Sequence, residues 1–274
     1  MNYTFILFTF ILLFSKRKMH NIYNYSNKTY NFTEIIEKYY NKIYPSFLEL
    51  EQIHTLLATE DIKECDKEYY KTPVHQFGVS DRKSIFIKDF HHFVDTDETF
   101  QILYEKFIVD VIKPIFNLLP ENKLIVQKTP NIRFHLPNCS NIGYINNSRN
   151  IYYDIFGIHK DGDFGHPKNE TNIIVPLTNM FDTNSVYYNS IPDNGTNNIY
   201  EYTNLVMDLN NFYIGNLNEC YHYNKINTTG ITRVSLDFRV LLVHDYDNYI
   251  KSNKISCSET FKSKFIVGDY YKVI

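Results

Sequence analysis

His159 and Asp161 form the only His-x-Asp in the chain, inside the stretch GIHKDGDFGH from Gly157 to His166. An imidazole and a carboxylate this close can give a metal one nitrogen and one oxygen. On a strand, residues i and i+2 project to the same side, so both would face one cavity. The same stretch also reads as a glycine-flanked polar turn making local hydrogen bonds. A third ligand decides between the two, and His222, in NECYHYNK, is the candidate. Two histidines and one carboxylate can occupy one side of a metal and leave the other side open, the set used by non-haem Fe(II) oxygenases. Asp163 competes with Asp161, but it lies four residues from His159 and further into the turn.

An anion site is expected from TGITRVSLDFRV, whose polar and apolar residues alternate. Arg233, Ser235, Asp237 and Arg239 share one strand face; Val234, Leu236, Phe238 and Val240 share the other. An inward row with two arginines is tolerable only if they pair or meet an anion. Arg233 supplies a fork for a carboxylate, and Ser235 can add a hydrogen bond. Arg-x-Ser also occurs at Arg82 to Ser84, so the order matters: His-x-Asp, then His, then Arg-x-Ser, all on strands.

The elements that must position these residues fall into two textures. Thr33 to Leu57 carries Ile35, Ile36, Tyr39, Tyr40 and Ile43 at helical spacing, with Thr33 as N-cap and Pro45 as breaker. Asp97 to Leu119 repeats the pattern through Phe100, Leu103, Tyr104, Phe107, Ile108 and Val111. From about Leu124 onward, short β-rich runs alternate with Asn, Gly, Pro and Asp. These are LIVQKTPNIRFHL, NIYYDIFGI, TNIIVPLT, SVYYNS, NLVMDL, FYIGNL and TRVSLDFRVLLV. The pattern predicts a mainly β protein with N-terminal helices covering one sheet of a sandwich or barrel.

The 274 residues carry a net charge of -3, which gives no electrostatic case for a nucleic-acid partner. Tyr 24 and Phe 21 against Trp 0, with abundant Asn, Ile and Lys, look like the bias of an AT-rich genome, so counts of those residues decide nothing. The four cysteines, Cys65, Cys139, Cys220 and Cys257, form no Cys-x-x-Cys pair, which argues against a thiolate zinc site or a disulfide scaffold. The apolar run Tyr3 to Phe14 is shorter than the roughly 20 residues of a membrane span. It also lacks a signal-peptide cleavage pattern. A cytoplasmic protein is expected, with a membrane anchor through Tyr3 to Phe14 as the alternative; the start of translation, at Met1 or Met19, is left open.

The blocks QKTPNIRFHLP, HKDGDFGHPKNETNIIVPLT, NECYHYNKINTTGITRVSLDFRV and GDYY together resemble the Fe(II)/2-oxoglutarate-dependent oxygenases, and within them the group named after the streptomycin-biosynthesis protein StrG. The resemblance implies a double-stranded β-helix (jelly roll), with a segment 1–30 ahead of a single oxygenase domain at 31–274. That domain divides into a helical front at 31–120 and a jelly-roll core at 121–274. It implies Fe(II) on His159, Asp161 and His222, and 2-oxoglutarate held by Arg233 with Ser235. Asn172 is placed with the cofactor-binding residues, and His166 and Glu170 beside the ligands. The implied reaction couples decarboxylation of 2-oxoglutarate by dioxygen to hydroxylation of a small polar molecule or modified sugar. A cupin-like isomerase or epimerase and a non-catalytic jelly-roll binding protein are the alternatives; a distal-carboxylate anchor such as Arg233 distinguishes the first from an oxygenase.

Overall fold

The computed structural model describes residues 20–71, 84–137, 155–190, 202–253 and 265–274. A first strand, β1 (Asn21–Asn24), precedes helix α1 (Phe32–Ile43), whose buried Phe32, Ile36 and Tyr40 recur at the spacing of one helix face. The helix begins two residues earlier than expected: Asn31 takes the cap position in place of Thr33, and the Thr33 hydroxyl donates to the Leu177 carbonyl at 3.2 Å. Pro45 stops it as predicted. Tyr44 is forced extended (φ −125°, ψ 102°), as the residue before a proline must be. The rest of the expected helix is a separate 3-10 run, Leu50–Ala58.

Helix α2 (Glu64–Lys71) and helix α3 (Ile85–Thr96) are additional to the two expected helices. Ser84 caps α3 by accepting from the Ile87 N–H at 3.4 Å. Asp97 ends α3 and caps helix α4 (Glu98–Phe107), accepting from the Thr99 N–H at 2.8 Å. A π turn (Ile108–Ile112) and a last short turn (Lys113–Ile115) complete this second helical stretch.

Strands follow: β2 (Leu124–Gln127), β3 (Asn131–His135), β4 (Ile155–His159), β5 (Thr171–Pro176), β6 (Val186–Asn189), β7 (Tyr202–Asn204), β8 (Asn211–Gly215), β9 (His222–Lys225) and β10 (Arg233–Leu242). Helix α5 (Val243–Asn253) and strand β11 (Tyr271–Val273) come last. The run LIVQKTPNIRFHL is two strands, divided where Pro130 removes a ladder donor. NLVMDL contributes little more than the end of β7 and an isolated bridge between Met207 and Met180.

All ladders between these strands are antiparallel. The larger sheet runs β1-β8-β5-β10-β2-β11, with β3 also paired to β10; the smaller runs β4-β9-β6-β7. Strand β10 is the axis of the larger sheet. One edge pairs with β5, the other first with β3 and then with β2.

Both faces of β10 are buried. Val234, Leu236, Phe238 and Val240 meet Ile36, Tyr40, Phe86, Phe90, Phe100, Tyr104 and Phe107 in one core between sheet and helices. Phe238 meets Tyr104 edge-on with ring centroids 5.1 Å apart, and the Tyr104 hydroxyl donates to the Gln127 carbonyl at 3.0 Å. On the opposite side, Ile174 and Tyr213 of the larger sheet pack with Val186 of the smaller, so the two sheets face each other. The polar row of β10 points into that inter-sheet space. No helix among the described residues is long and apolar enough to cross a membrane; the run Tyr3 to Phe14 lies outside them.

Candidate metal centre

His159 and His222 are direct cross-strand partners, the last residue of β4 opposite the first of β9. Their ring centroids are 4.3 Å apart. The His222 Nδ1–H donates to the Cys220 carbonyl at 3.2 Å, which leaves Nε2 as the lone-pair nitrogen. Asp161 arrives by a route the sequence pattern did not anticipate. The strand stops at His159, and Asp161 opens a 3-10 turn, Asp161–Phe164, so strand alternation is not what aims it.

That turn is pinned against the chain just before His222. The Asp161 N–H donates to the Leu217 carbonyl at 3.1 Å and the Gly162 N–H to the Asn218 carbonyl at 3.0 Å. A Cβ at Gly162 would stand 2.7 Å from the Asn218 carbonyl oxygen, so only glycine permits this approach. Asp161 Oδ1 then lies 3.6 Å from His222 Nε2 and 3.8 Å from His159 Nε2.

The three donor atoms all lie within 4.8 Å of one another. Ligands at right angles on bonds of about 2.1 Å stand about 3 Å apart, so a first-row metal needs to draw these side chains in only slightly. The donor set of two imidazoles and one carboxylate fits such an ion.

The other carboxylate oxygen is fully engaged. Asn172 Nδ2 donates to Asp161 Oδ2 at 2.6 Å and Arg239 Nη2 at 2.7 Å. Burial alone would raise the pKa of Asp161, but Arg239, then His222, His166 and His159, outweigh it and hold the carboxyl well below the usual range. Burial pushes His222 down to about 4, assisted by His159, so its imidazole is neutral and able to ligate near pH 7.

Farther along the same face of β10, Arg233 is only 1% exposed. Its Nη1 donates to Ser235 Oγ at 3.3 Å and its Nη2 to Asn224 Oδ1 at 3.1 Å. Burial, then the Arg133 cation, push its pKa down to about 9, against an opposing pull from Asp237. Arg233 is therefore still cationic at neutral pH, and an arriving anion would relieve its desolvation.

The remaining expected residues have other placements. Asp163 turns outward, accepting from the Lys160 N–H at 3.2 Å and standing 3.8 Å from Lys160 Nζ. Asn172 bonds to the Asp161 carboxylate, at the triad end of the site. His166 Nδ1 meets buried Glu170 at 2.6 Å, and Glu170 also accepts from the Tyr271 hydroxyl. His135 is fully buried, with Nδ1 3.2 Å from the Asn184 carbonyl. Neither Cys65 nor Cys220 is in a disulfide; Cys139 and Cys257 lie outside the described residues. Arg239 is the residue the sequence did not single out. Its place on the polar face was legible, but its carboxylate partner lies on another element.

No family model matches the chain. In sequence it is 28% identical over 173 residues to the streptomycin biosynthesis protein StrG of Streptomyces griseus, covering 61% of this chain and 72% of that protein. The resemblance to the StrG group holds. Among solved structures, the non-heme monooxygenase ThoJ in its nickel complex aligns with 83% of this chain and 76% of its own, at 11% identity and a TM-score of 0.43. EctD from S. alaskensis with bound Fe aligns with 84% and 74% respectively, at 10% identity and a TM-score of 0.42.

Proposed function

We propose that the protein is an Fe(II)- and 2-oxoglutarate-dependent oxygenase on a double-stranded β-helix, hydroxylating a small polar molecule or modified sugar. The observation that carries this reading is the meeting of two imidazole nitrogens and one carboxylate oxygen on the inter-sheet face that also buries Arg233. His159, Asp161 and His222 would hold the iron from one side and leave the other open.

Arg233 would take the distal carboxylate of 2-oxoglutarate, with Ser235 fixing the guanidinium plane. The spacing supports this. Arg233 is bonded to Asn224, two residues beyond His222 and on the same side of β9. That separation is about 6–7 Å along the strand, a span suited to a five-carbon diacid. When bound, iron and 2-oxoglutarate supply the oxidising chemistry, in which the diacid is decarboxylated to succinate and one oxygen atom enters a substrate C–H bond.

Asp161 fills the ligand position that a halide would need, which favours hydroxylation over halogenation. Held ionised by Arg239, it is ready to ligate at neutral pH. The name of StrG assigns that protein to streptomycin biosynthesis, and a small polar or sugar-like substrate carries that assignment over to this chain.

Anaerobic addition of Fe(II) and then 2-oxoglutarate tests the proposal. A visible metal-to-ligand charge-transfer band that requires both components is expected. Metal binding without any response to 2-oxoglutarate would favour the isomerase alternative. Under labelled dioxygen, one labelled atom should appear in succinate and one in a hydroxylated small molecule. Succinate formation coupled only to a protein or nucleic acid would overturn the substrate class.

A further inference from the structure

We infer that Arg239 is the positioning residue that makes Asp161 a one-oxygen ligand and so keeps the open side of the metal centre open; the inference rests on the metal reading above. The two oxygens of Asp161 have separate occupations. Oδ2 receives Asn172 Nδ2 at 2.6 Å and Arg239 Nη2 at 2.7 Å, while Oδ1 faces His222 Nε2 at 3.6 Å and His159 Nε2 at 3.8 Å. A carboxylate free to rotate could offer both oxygens to one cation, and the second would occupy a position needed by a diacid. With two donors on Oδ2, that rotation breaks two strong hydrogen bonds in a buried place.

The guanidinium is itself fixed. Its Nη1 lies 3.1 Å from Asp237 Oδ2, two residues back on the same face of β10, and its side chain is 5% exposed. Asp237 is in turn 3.6 Å from Arg133 Nη2. Charges therefore alternate from Arg133 through Asp237 and Arg239 to Asp161, and Asp237 has a cation on each side. Asn172 is the cross-strand partner of Arg239, so β5 and β10 deliver the two donors to Oδ2 from adjacent positions. A neutral donor at 239 could satisfy one lone pair of Oδ2. It could not both hold Asp161 ionised and remain anchored to Asp237.

Removing an outer partner of a metal ligand typically lowers metal affinity about 10–100-fold. The test is Co(II) titration of the purified protein, read by calorimetry and by the visible cobalt bands, with circular dichroism to verify folding. Arg239→Gln should weaken Co(II) binding by about 10–100-fold and change the band intensities as the carboxylate alters its binding mode. Arg239→Lys, which keeps a cationic donor, should recover most of the affinity. The cobalt-loaded Gln variant should also bind 2-oxoglutarate more weakly, because Asp161 then competes for the open side.

If Arg239→Gln does not fold, the pair Arg239→Met with Asp237→Asn removes the cation together with its second counter-charge, and the same losses are expected. A folded variant with unchanged Co(II) affinity and unchanged bands overturns the positioning role while leaving the metal site standing. Absence of Co(II) binding by the unaltered protein overturns the metal reading itself.

Discussion

Arg233 and Arg239 are the same residue type on the same buried face of one strand, and their surroundings treat them in opposite ways. Arg239 sits between Asp161 and Asp237; burial works against its charge, but the two carboxylates raise its pKa well above the usual value. Arg233 donates to Ser235 and Asn224, and burial with Arg133 lowers its pKa to about 9 against an opposing pull from Asp237. A buried cation compensated within the fold is part of the fold's own electrostatics. One whose charge burial and a neighbouring cation disfavour gains from an anion arriving from outside. On the proposed function, the two ends of the polar row divide the labour: Arg239 would hold a metal ligand in place and Arg233 would receive the cosubstrate.

That contrast can be broken most directly through stability. Arg239→Leu would leave two buried carboxylates without their shared cation and should cost about 3–5 kcal/mol in urea unfolding. Arg233→Leu removes a cation that burial already disfavours and should cost less than Arg239→Leu. Equal losses from the two would remove the distinction.

Binding should respond the other way round. Arg233→Leu should weaken 2-oxoglutarate binding about a hundredfold, the effect of losing about 3 kcal/mol from a buried charge-paired anchor. Metal affinity measured on the same variant should stay unchanged, since Arg233 does not touch the triad. A smaller effect is expected at the turn that aims Asp161. Gly162→Ala presses a methyl group against the Asn218 carbonyl and should cost about 1–3 kcal/mol. It should also weaken Co(II) binding by displacing the turn, which a calorimetric titration would register.

The smallest effect is a pH slope, and it separates the arginine pairs from the histidines. Burial lowers His20 to about 4, where it lies against Tyr213 and Cys220, and lowers His222 to a similar value. The unfolded chain takes up these protons near pH 6.5, before the folded one does. Their contribution to stability is therefore complete above about pH 6.5 and is lost as pH falls towards 4. Metal-free protein should show this slope in urea midpoints, and His20→Gln should flatten it to the part that His222 contributes. A slope unaffected by His20→Gln would assign it to other groups.

Much of the architecture was legible because its determinants are local. The alternation in TRVSLDFRV places four apolar and four polar residues on opposite faces whatever the strand pairs with, and Pro45 ends a helix by its own geometry. His159, Asp161 and His222 could be named as a set because few residue types ligate metals.

What only the tertiary structure decided depends on partners distant in sequence. Strand pairing puts His159 opposite His222, and backbone bonds from the 161–162 turn to Leu217 and Asn218 aim Asp161, for a reason other than the strand alternation first supposed. The same applies to the two arginines. Their identity and their shared face are written in the sequence. Which one meets Asp161 and which one bonds to Ser235 and Asn224 follows from the elements that fold against each end of β10, because Coulomb energy depends on distances that a linear pattern does not contain.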